Sequence, residues 1–142
     1  KKHQALTGGQ ETITMTYETC ADFERELLAA REKDLRLRTT TVGPHRDDLA
    51  ILINNQDVRI FGSQGQQRTV ALSIKLAELD LFADITGEKP ILLLDDVFSE
   101  LDSSRQARLL TAIADTQVVI TATDAPAVGK IFVVKNGTVQ PQ

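Results

Sequence analysis

Ile91-Leu92-Leu93-Leu94-Asp95-Asp96 is an uninterrupted apolar run that ends in two carboxylates. A run of that kind suits a central strand covered on both faces. The paired acids then stand at the carboxyl end of the strand, where open α/β sheets place their ligands. Two carboxylates in that position can hold a metal ion and position a water molecule. Upstream, Phe61-Gly62-Ser63-Gln64-Gly65-Gln66-Gln67-Arg68-Thr69 opens a long apolar helix pattern that runs to about Phe82. Ser63 can cap that helix while the backbone N–H groups of Gln64 to Gln66 stay free to face an anion at its positive end. Helix start and acidic strand end together read as half of an ATP site. The other half, a Gly-x-x-x-x-Gly-Lys-Ser/Thr loop that cradles phosphates, does not occur in the sequence. The chain therefore reads as a fragment.

Each motif has a plainer reading beside it. Ser63-Gln64-Gly65-Gln66 satisfies the capping-box pattern, which accounts for Ser63 and Gln66 with no ligand at all. It does not account for Gly65, which costs up to about 1 kcal/mol inside a helix and points to close approach of something to the backbone. Asp95-Asp96 could be loop solvation, or the paired acids of a phosphorylated receiver domain. A receiver carries its pair after the first strand, however, and here the pair lies late in the chain. The ordered set of helix start, apolar strand, Asp95-Asp96 and Ser99-Glu100-Leu101-Asp102 discriminates better than any one motif.

Working outward, the length of 142 residues with 42% apolar content allows one ordinary core. Thr12 to Tyr17 alternates as a half-buried strand. Asp22 is placed to cap a helix through about Arg36, with Phe23, Leu27, Leu28 and Leu35 on one side. Thr39 to Val42 is β-prone and is broken by Gly43-Pro44. Leu49 to Ile53 and Val58 to Phe61 flank Asn54-Asn55-Gln56-Asp57 as a hairpin. In the long helix, Leu72, Leu76 and Leu79 form one stripe and Val70, Ile74, Ala77 and Leu81 an adjacent one, so burial over much of its circumference is expected. Leu109, Leu110 and Ile113 set a helix over 103–114, and Val118 to Ile120 a second apolar strand. That strand-helix-strand unit implies a right-handed crossover. Ile131 to Val134, Asn136-Gly137 and Thr138-Val139 close the sequence as a small hairpin.

The net charge of −4 argues against a uniformly basic nucleic-acid binder. Residues 1–46 carry +1 and residues 47–142 carry −5, so the acidic share surrounds Asp95-Asp96. A DNA contact would fall to a local patch, for which Arg31, Lys33, Arg36 and Arg38 are the candidates. A solvated helix face with Glu32 and Asp34 interspersed explains the same residues. The single cysteine, Cys20, fits a reducing cytoplasm. No apolar run approaches a membrane span, and Lys1-Lys2 is not followed by the apolar segment of a signal peptide.

From Gly43-Pro44-His45-Arg46-Asp47-Asp48-Leu49 through Ser63-Gln64-Gly65-Gln66-Gln67-Arg68 to Asp95-Asp96-Val97-Phe98-Ser99-Glu100-Leu101-Asp102, the sequence strongly resembles the C-terminal part of the RecF family. Its members are bacterial recombination-mediator ATPases with heads similar to those of ABC transporters and chromosome-structure-maintenance proteins. The resemblance implies an α/β lobe of an ABC-type head, a mostly parallel sheet with flanking helices and short hairpins, over 1–142. It makes Ser63, Gln64, Gly65 and Gln66 the signature motif, which meets ATP across a head-to-tail dimer. It makes Asp95 the Walker B aspartate that holds Mg²⁺, and Ser99, Glu100, Leu101 and Asp102 the D-loop.

Two positions depart from the wider ABC pattern. Asp96 stands where glutamate usually follows the Walker B aspartate, which suits slow hydrolysis. Thr121-Ala122-Thr123-Asp124 stands where a switch histidine is common, which makes Thr123 the γ-phosphate sensor candidate. His3 and His45 lie too far away in sequence to replace it, and His45 with Arg46 serves a turn or a nucleotide or DNA contact equally well. The family further implies binding to gapped or junction DNA and partnership with RecR and RecO in placing RecA. Two other classes compete with that reading. One is a non-catalytic module that binds RecR or DNA; the other is a Mg²⁺-dependent phosphotransfer or nuclease site built from Asp95, Asp96 and Glu100.

Overall fold

The structure, a computed structural model, describes residues 1–124 and 128–142. Its elements run α1 (Lys2–Thr7), β1 (Ile13–Glu18), α2 (Phe23–Leu37), β2 (Asp48–Ile53), β3 (Gln56–Asp57), α3 (Val58–Phe61), α4 (Gln64–Thr86), β4 (Leu92–Asp95), α5 (Ser103–Ala112), β5 (Val118–Thr121), β6 (Phe132–Lys135) and β7 (Thr138–Pro141). The α/β class follows from the mixture of amphipathic helices and short β-branched runs. β4 and β5 pair in parallel, Leu92 opposite Val118 and Asp95 opposite Thr121. The other ladders among the described residues are antiparallel, in a three-stranded sheet ordered β1-β2-β3 and the β6-β7 hairpin. The expected mostly parallel sheet is thus reduced here to one parallel pair.

Two cores form, and α4 belongs to both. Leu76 lies in the first with Leu6 of α1, Leu92 and Leu94 of β4, Leu101, and Leu109 and Ile113 of α5. Val70 lies in the second with Ile53 and Val58, flanked by Ile13, Ile51 and Ile74. The two apolar stripes of the helix therefore meet different partners. Burial stops short of its C-terminal turns, where Leu81, Phe82 and Ile85 are exposed.

The parallel pair is covered on one face only. Leu92 and Leu94 point into the first core, whereas Leu93 is 73% exposed and Ile91 and Val119 lie open. The expectation of two covered faces fails for these residues because the helices that pack on this pair, α1, α4 and α5, lie on the same side.

Three local expectations are also corrected. Thr39 to Val42 forms no strand. The backbone there is satisfied by side chains: Asp34 Oδ1 accepts from Thr41 N at 3.0 Å and from Thr41 Oγ1 at 2.6 Å, and Thr40 O meets His45 Nε2 at 2.9 Å. Val58 to Phe61 is a single helical turn, because Asp57 accepts from Arg59 N and caps it, while Gln67 Nε2 donates to Val58 O and Gly62 O. The hairpin turn is the pair Asn54-Asn55 alone, at φ of 49° and 66°, both left-handed as a type I′ turn requires. The helix α1 has no sequence signal of its own. Six residues with no side-chain cap do not hold a helix in water; His3, Leu6 and Thr7 hold it by burial against α4 and α5.

Leu76→Ala should lower unfolding stability by about 2–5 kcal/mol, and Leu93→Ala by less than about 0.5 kcal/mol. Urea unfolding followed by circular dichroism checks both. Equal losses at the two positions would contradict the one-sided burial of β4.

Candidate functional site

The capping box at the start of α4 is complete: Gln66 N donates to Ser63 Oγ at 3.2 Å and Ser63 N donates to Gln66 Oε1 at 2.9 Å. This corrects one expectation. The Gln66 N–H is spent on the cap, and only those of Gln64 and Gly65 are left to face outward. Gly65 has a neighbour that explains it in part. A Cβ built there would stand 3.0 Å from Arg105 Nη1, a close approach that a flexible guanidinium can relieve.

At the end of β4 the two carboxylates are held differently. Asp95 Oδ1 accepts from the Thr121 hydroxyl on the paired strand. Its second oxygen has no protein donor among the described residues. Asp96 N donates to Thr121 O and to Thr121 Oγ1, each at 3.1 Å. Asp96 itself sits at φ 50°, ψ 24°, left-handed backbone that aspartate tolerates better than most residues. Its Oδ2 accepts from Ser99 Oγ at 2.9 Å. Thr121, at the tip of β5, thus touches both acids, where the sequence pattern points to Thr123. Thr123 is exposed and makes no hydrogen bond among the described residues.

The 99–102 loop is pinned from below. Leu101 and Phe98 are buried, and Gln106 Nε2 donates to Phe98 O at 2.8 Å and Leu101 O at 3.0 Å. Ser99 and Glu100 stay exposed above them. Asp102 caps α5 by accepting from Arg105 N, and that hydrogen bond holds its carboxyl below the ordinary carboxylate range. Glu100 lies 3.4 Å from Arg68 on α4. It does not join Asp95 and Asp96 in a three-acid group, and no such metal-binding group of His, Cys, Asp or Glu exists among the described residues. A divalent cation here would rest on the free oxygen of Asp95 and complete its shell with phosphate and water, an arrangement Mg²⁺ commonly takes.

Helix start and loop are also joined beneath the surface, through residues the sequence did not mark. Glu11 Oε1 accepts from Gln66 Nε2 at 3.1 Å and lies 4.0 Å from Arg105 Nη2. Its Oε2 lies 3.0 Å from His3 Nε2, and His3 Nδ1 is 3.1 Å from Ser73 Oγ. Glu11 stands 52 positions from Ser63 and 84 from Asp95, so only the tertiary structure reveals it. Elsewhere, Arg31, Lys33, Arg36 and Arg38 are exposed along and just past α2, and none forms an ion pair among the described residues.

No family model matches the chain. It is 53% identical over 124 residues to the DNA replication and repair protein RecF of Lachnoclostridium phytofermentans, covering 85% of this chain and 34% of that protein. To RecF of Lactococcus lactis subsp. cremoris it is 52% identical over 151 aligned positions, covering all of this chain and 42% of the relative. Two solved structures of a recombination mediator protein RecF in the RecFOR pathway, one with ATP and one described as RecF-ATPrS, superpose with TM-scores of 0.78 and 0.77. Their identities to the chain are 36% and 34%, over 99% of this chain and 42% of theirs. The chain spans less than half the length of the relatives it matches.

Proposed function

Because the chain belongs to the RecF family and corresponds to its C-terminal part, we propose that it is the lobe that completes an ATP site in trans in a protein of DNA repair. The single observation that carries the reading is the hydrogen-bonded end of β4. Among the described residues Asp95 keeps one oxygen free, Asp96 is fixed by Ser99 and Thr121, and the 99–102 loop rises beside them. Asp95 would hold Mg²⁺ against the phosphates of ATP, and the cation would neutralise charge on the transferring phosphoryl group. Asp96 would accept the proton of the attacking water. Its shorter reach than glutamate, and the Ser99 hydrogen bond it must share, suit slow turnover.

The signature Ser63 to Gln66 would serve the partner's nucleotide. Gln64 and Gly65 N–H groups and the positive end of α4 would meet a γ-phosphate, which only the triphosphate supplies. ATP would then favour a head-to-tail homodimer and hydrolysis would release it. The phosphate-cradling half of each site would lie in the rest of the full-length protein, and the open face around Leu93 and Val119 is compatible with a further layer there. For the whole protein we propose binding to gapped or junction DNA and action with RecR and RecO in placing RecA. Arg31, Lys33, Arg36 and Arg38, unpaired among the described residues, are the DNA candidates. Thr123 is retained as the switch candidate, and Thr121 positions Asp95 and Asp96.

A second reading, a non-catalytic module that binds RecR or DNA, is favoured for the chain by itself by the missing phosphate loop. Titration calorimetry of the isolated chain with Mg-ATP should show nothing tighter than roughly millimolar, about −4 kcal/mol. Micromolar binding would mean that a complete site lies within these residues. Gly65→Ala separates capping from ligand approach. Alanine should leave stability unchanged or raise it by up to about 1 kcal/mol, since Arg105 can swing aside. In the full-length protein the same methyl group should abolish ATP-dependent dimerisation in sedimentation. Dimers that persist would return Gly65 to a purely structural role.

A further inference from the structure

Glu11 lies in no motif, yet its carboxylate stands where the start of α4 and the start of α5 come together. Its side chain is 13% exposed and receives Gln66 Nε2 at 3.1 Å. That hydrogen bond fixes which end of the Gln66 amide faces Ser63: with Nε2 held by Glu11, Oε1 is left to accept from Ser63 N. The same Oε1 of Glu11 lies 4.0 Å from Arg105 Nη2. Arg105 Nη1 in turn lies 3.5 Å from Asp102 Oδ2 and against Gly65. One carboxylate thus orients the capping box on one side and the guanidinium that flanks Asp102 on the other.

The anchor behind it is unusually firm for so short a segment. His3, 2% exposed, lies 3.0 Å from Glu11 Oε2 and 3.1 Å from Ser73 Oγ, two turns along α4. Leu6 is buried in the first core, and Thr7 Oγ1 donates to His3 O at 2.9 Å. Chain direction helps as well. α1 ends at Gly8, in left-handed backbone at φ 67°, where a Cβ would strike the Arg108 guanidinium at 2.7 Å. The turn there brings Glu11 back across the ends of α4 and α5. The shielded position leaves these contacts less screened than a surface ion pair.

We infer that Glu11 is a positioning residue that locks Ser63–Gln66 and Ser99–Asp102 into one unit, through Gln66 on one side and Arg105 on the other. The inference rests on the ATP reading of those two segments. Motion at either would be transmitted to the other without passing through the exposed Arg68–Glu100 pair.

The test uses the full-length protein and three readouts: ATP-dependent dimerisation by sedimentation, ATP affinity of the monomer, and thermal unfolding. Glu11→Ala should weaken dimerisation about tenfold, with monomer ATP affinity within about twofold of the parent. Glu11→Gln, which keeps an oxygen for Gln66 but not the charge facing Arg105 and His3, should recover part of the loss and serves if the alanine variant does not fold. In the double variant Glu11→Ala, Arg105→Ala, dimerisation should be no weaker than in the worse single variant, because both act through one network. Unchanged dimerisation in the folded Glu11 variants, or losses that multiply in the double, would overturn the inference. Ser63→Arg is measured alongside. If it abolishes dimerisation while the Glu11 variants do not, only the positioning role falls. If Ser63→Arg also dimerises with ATP, the ATP reading itself falls.

Discussion

One helix holds two cores together. α4 contributes Leu76 to the cluster built with α1, β4 and α5, and Val70 to the cluster built with β2 and α3. Burying a leucine or valine side chain is worth about 1.5–3 kcal/mol, so neither small cluster has much to spare without the shared helix. Because α4 is fixed on two sides, the direction of its N-terminus is fixed as well. That is the end where Ser63 and Gln66 close the capping box and where Gln64 and Gly65 keep N–H groups outward. The placement of β4, and so of Asp95 and Asp96, follows from the same contacts, since Leu92 and Leu94 pack in the core that holds Leu76.

The parts of this arrangement that could be read from the sequence are those with strong local signals. The capping box, the helix after Asp22, the apolar strands and the Asn136-Gly137 hairpin all stand where periodicity and turn chemistry put them. What failed was decided by side-chain contacts that strand propensity does not register. Thr39 to Val42 has strand-forming residues, but the Asp34 carboxylate captures Thr41 N and Oγ1 and leaves no strand. Val58 to Phe61 alternates well enough for a strand and is bent into a turn of helix by Asp57 and Gln67. α1 exists only because α4 and α5 bury it.

The site shows the same division. Asp95, Asp96 and the 99–102 loop were legible because their spacing is short and their order is fixed along the chain. Thr121 was not, because its importance comes from pairing with Asp95 across a parallel ladder. Glu11 and Arg105 were not, because their partners lie 55 and 94 positions apart in sequence, at Gln66 and at Glu11 respectively. Asp96 in left-handed backbone is a cost of up to about 1–3 kcal/mol that the surrounding hydrogen bonds to Thr121 and Ser99 hold in place. Such strain is commonly kept where a side chain must be aimed.

The central claim is that the signature and the Walker B acids of one chain serve different nucleotides. Mixing two full-length variants tests it most directly. Under that proposal Ser63→Arg would damage the surface offered to the partner's ATP and Asp96→Asn would remove the proton acceptor at the chain's own ATP, so each variant by itself should be nearly inactive. In a mixed dimer one of the two sites combines intact Asp96 with intact Ser63. Phosphate release should therefore reappear on mixing, and rise with the fraction of mixed dimers. If the mixture stays as inactive as its components while mixed dimers form, the signature and the acids act within one chain, and the account is wrong.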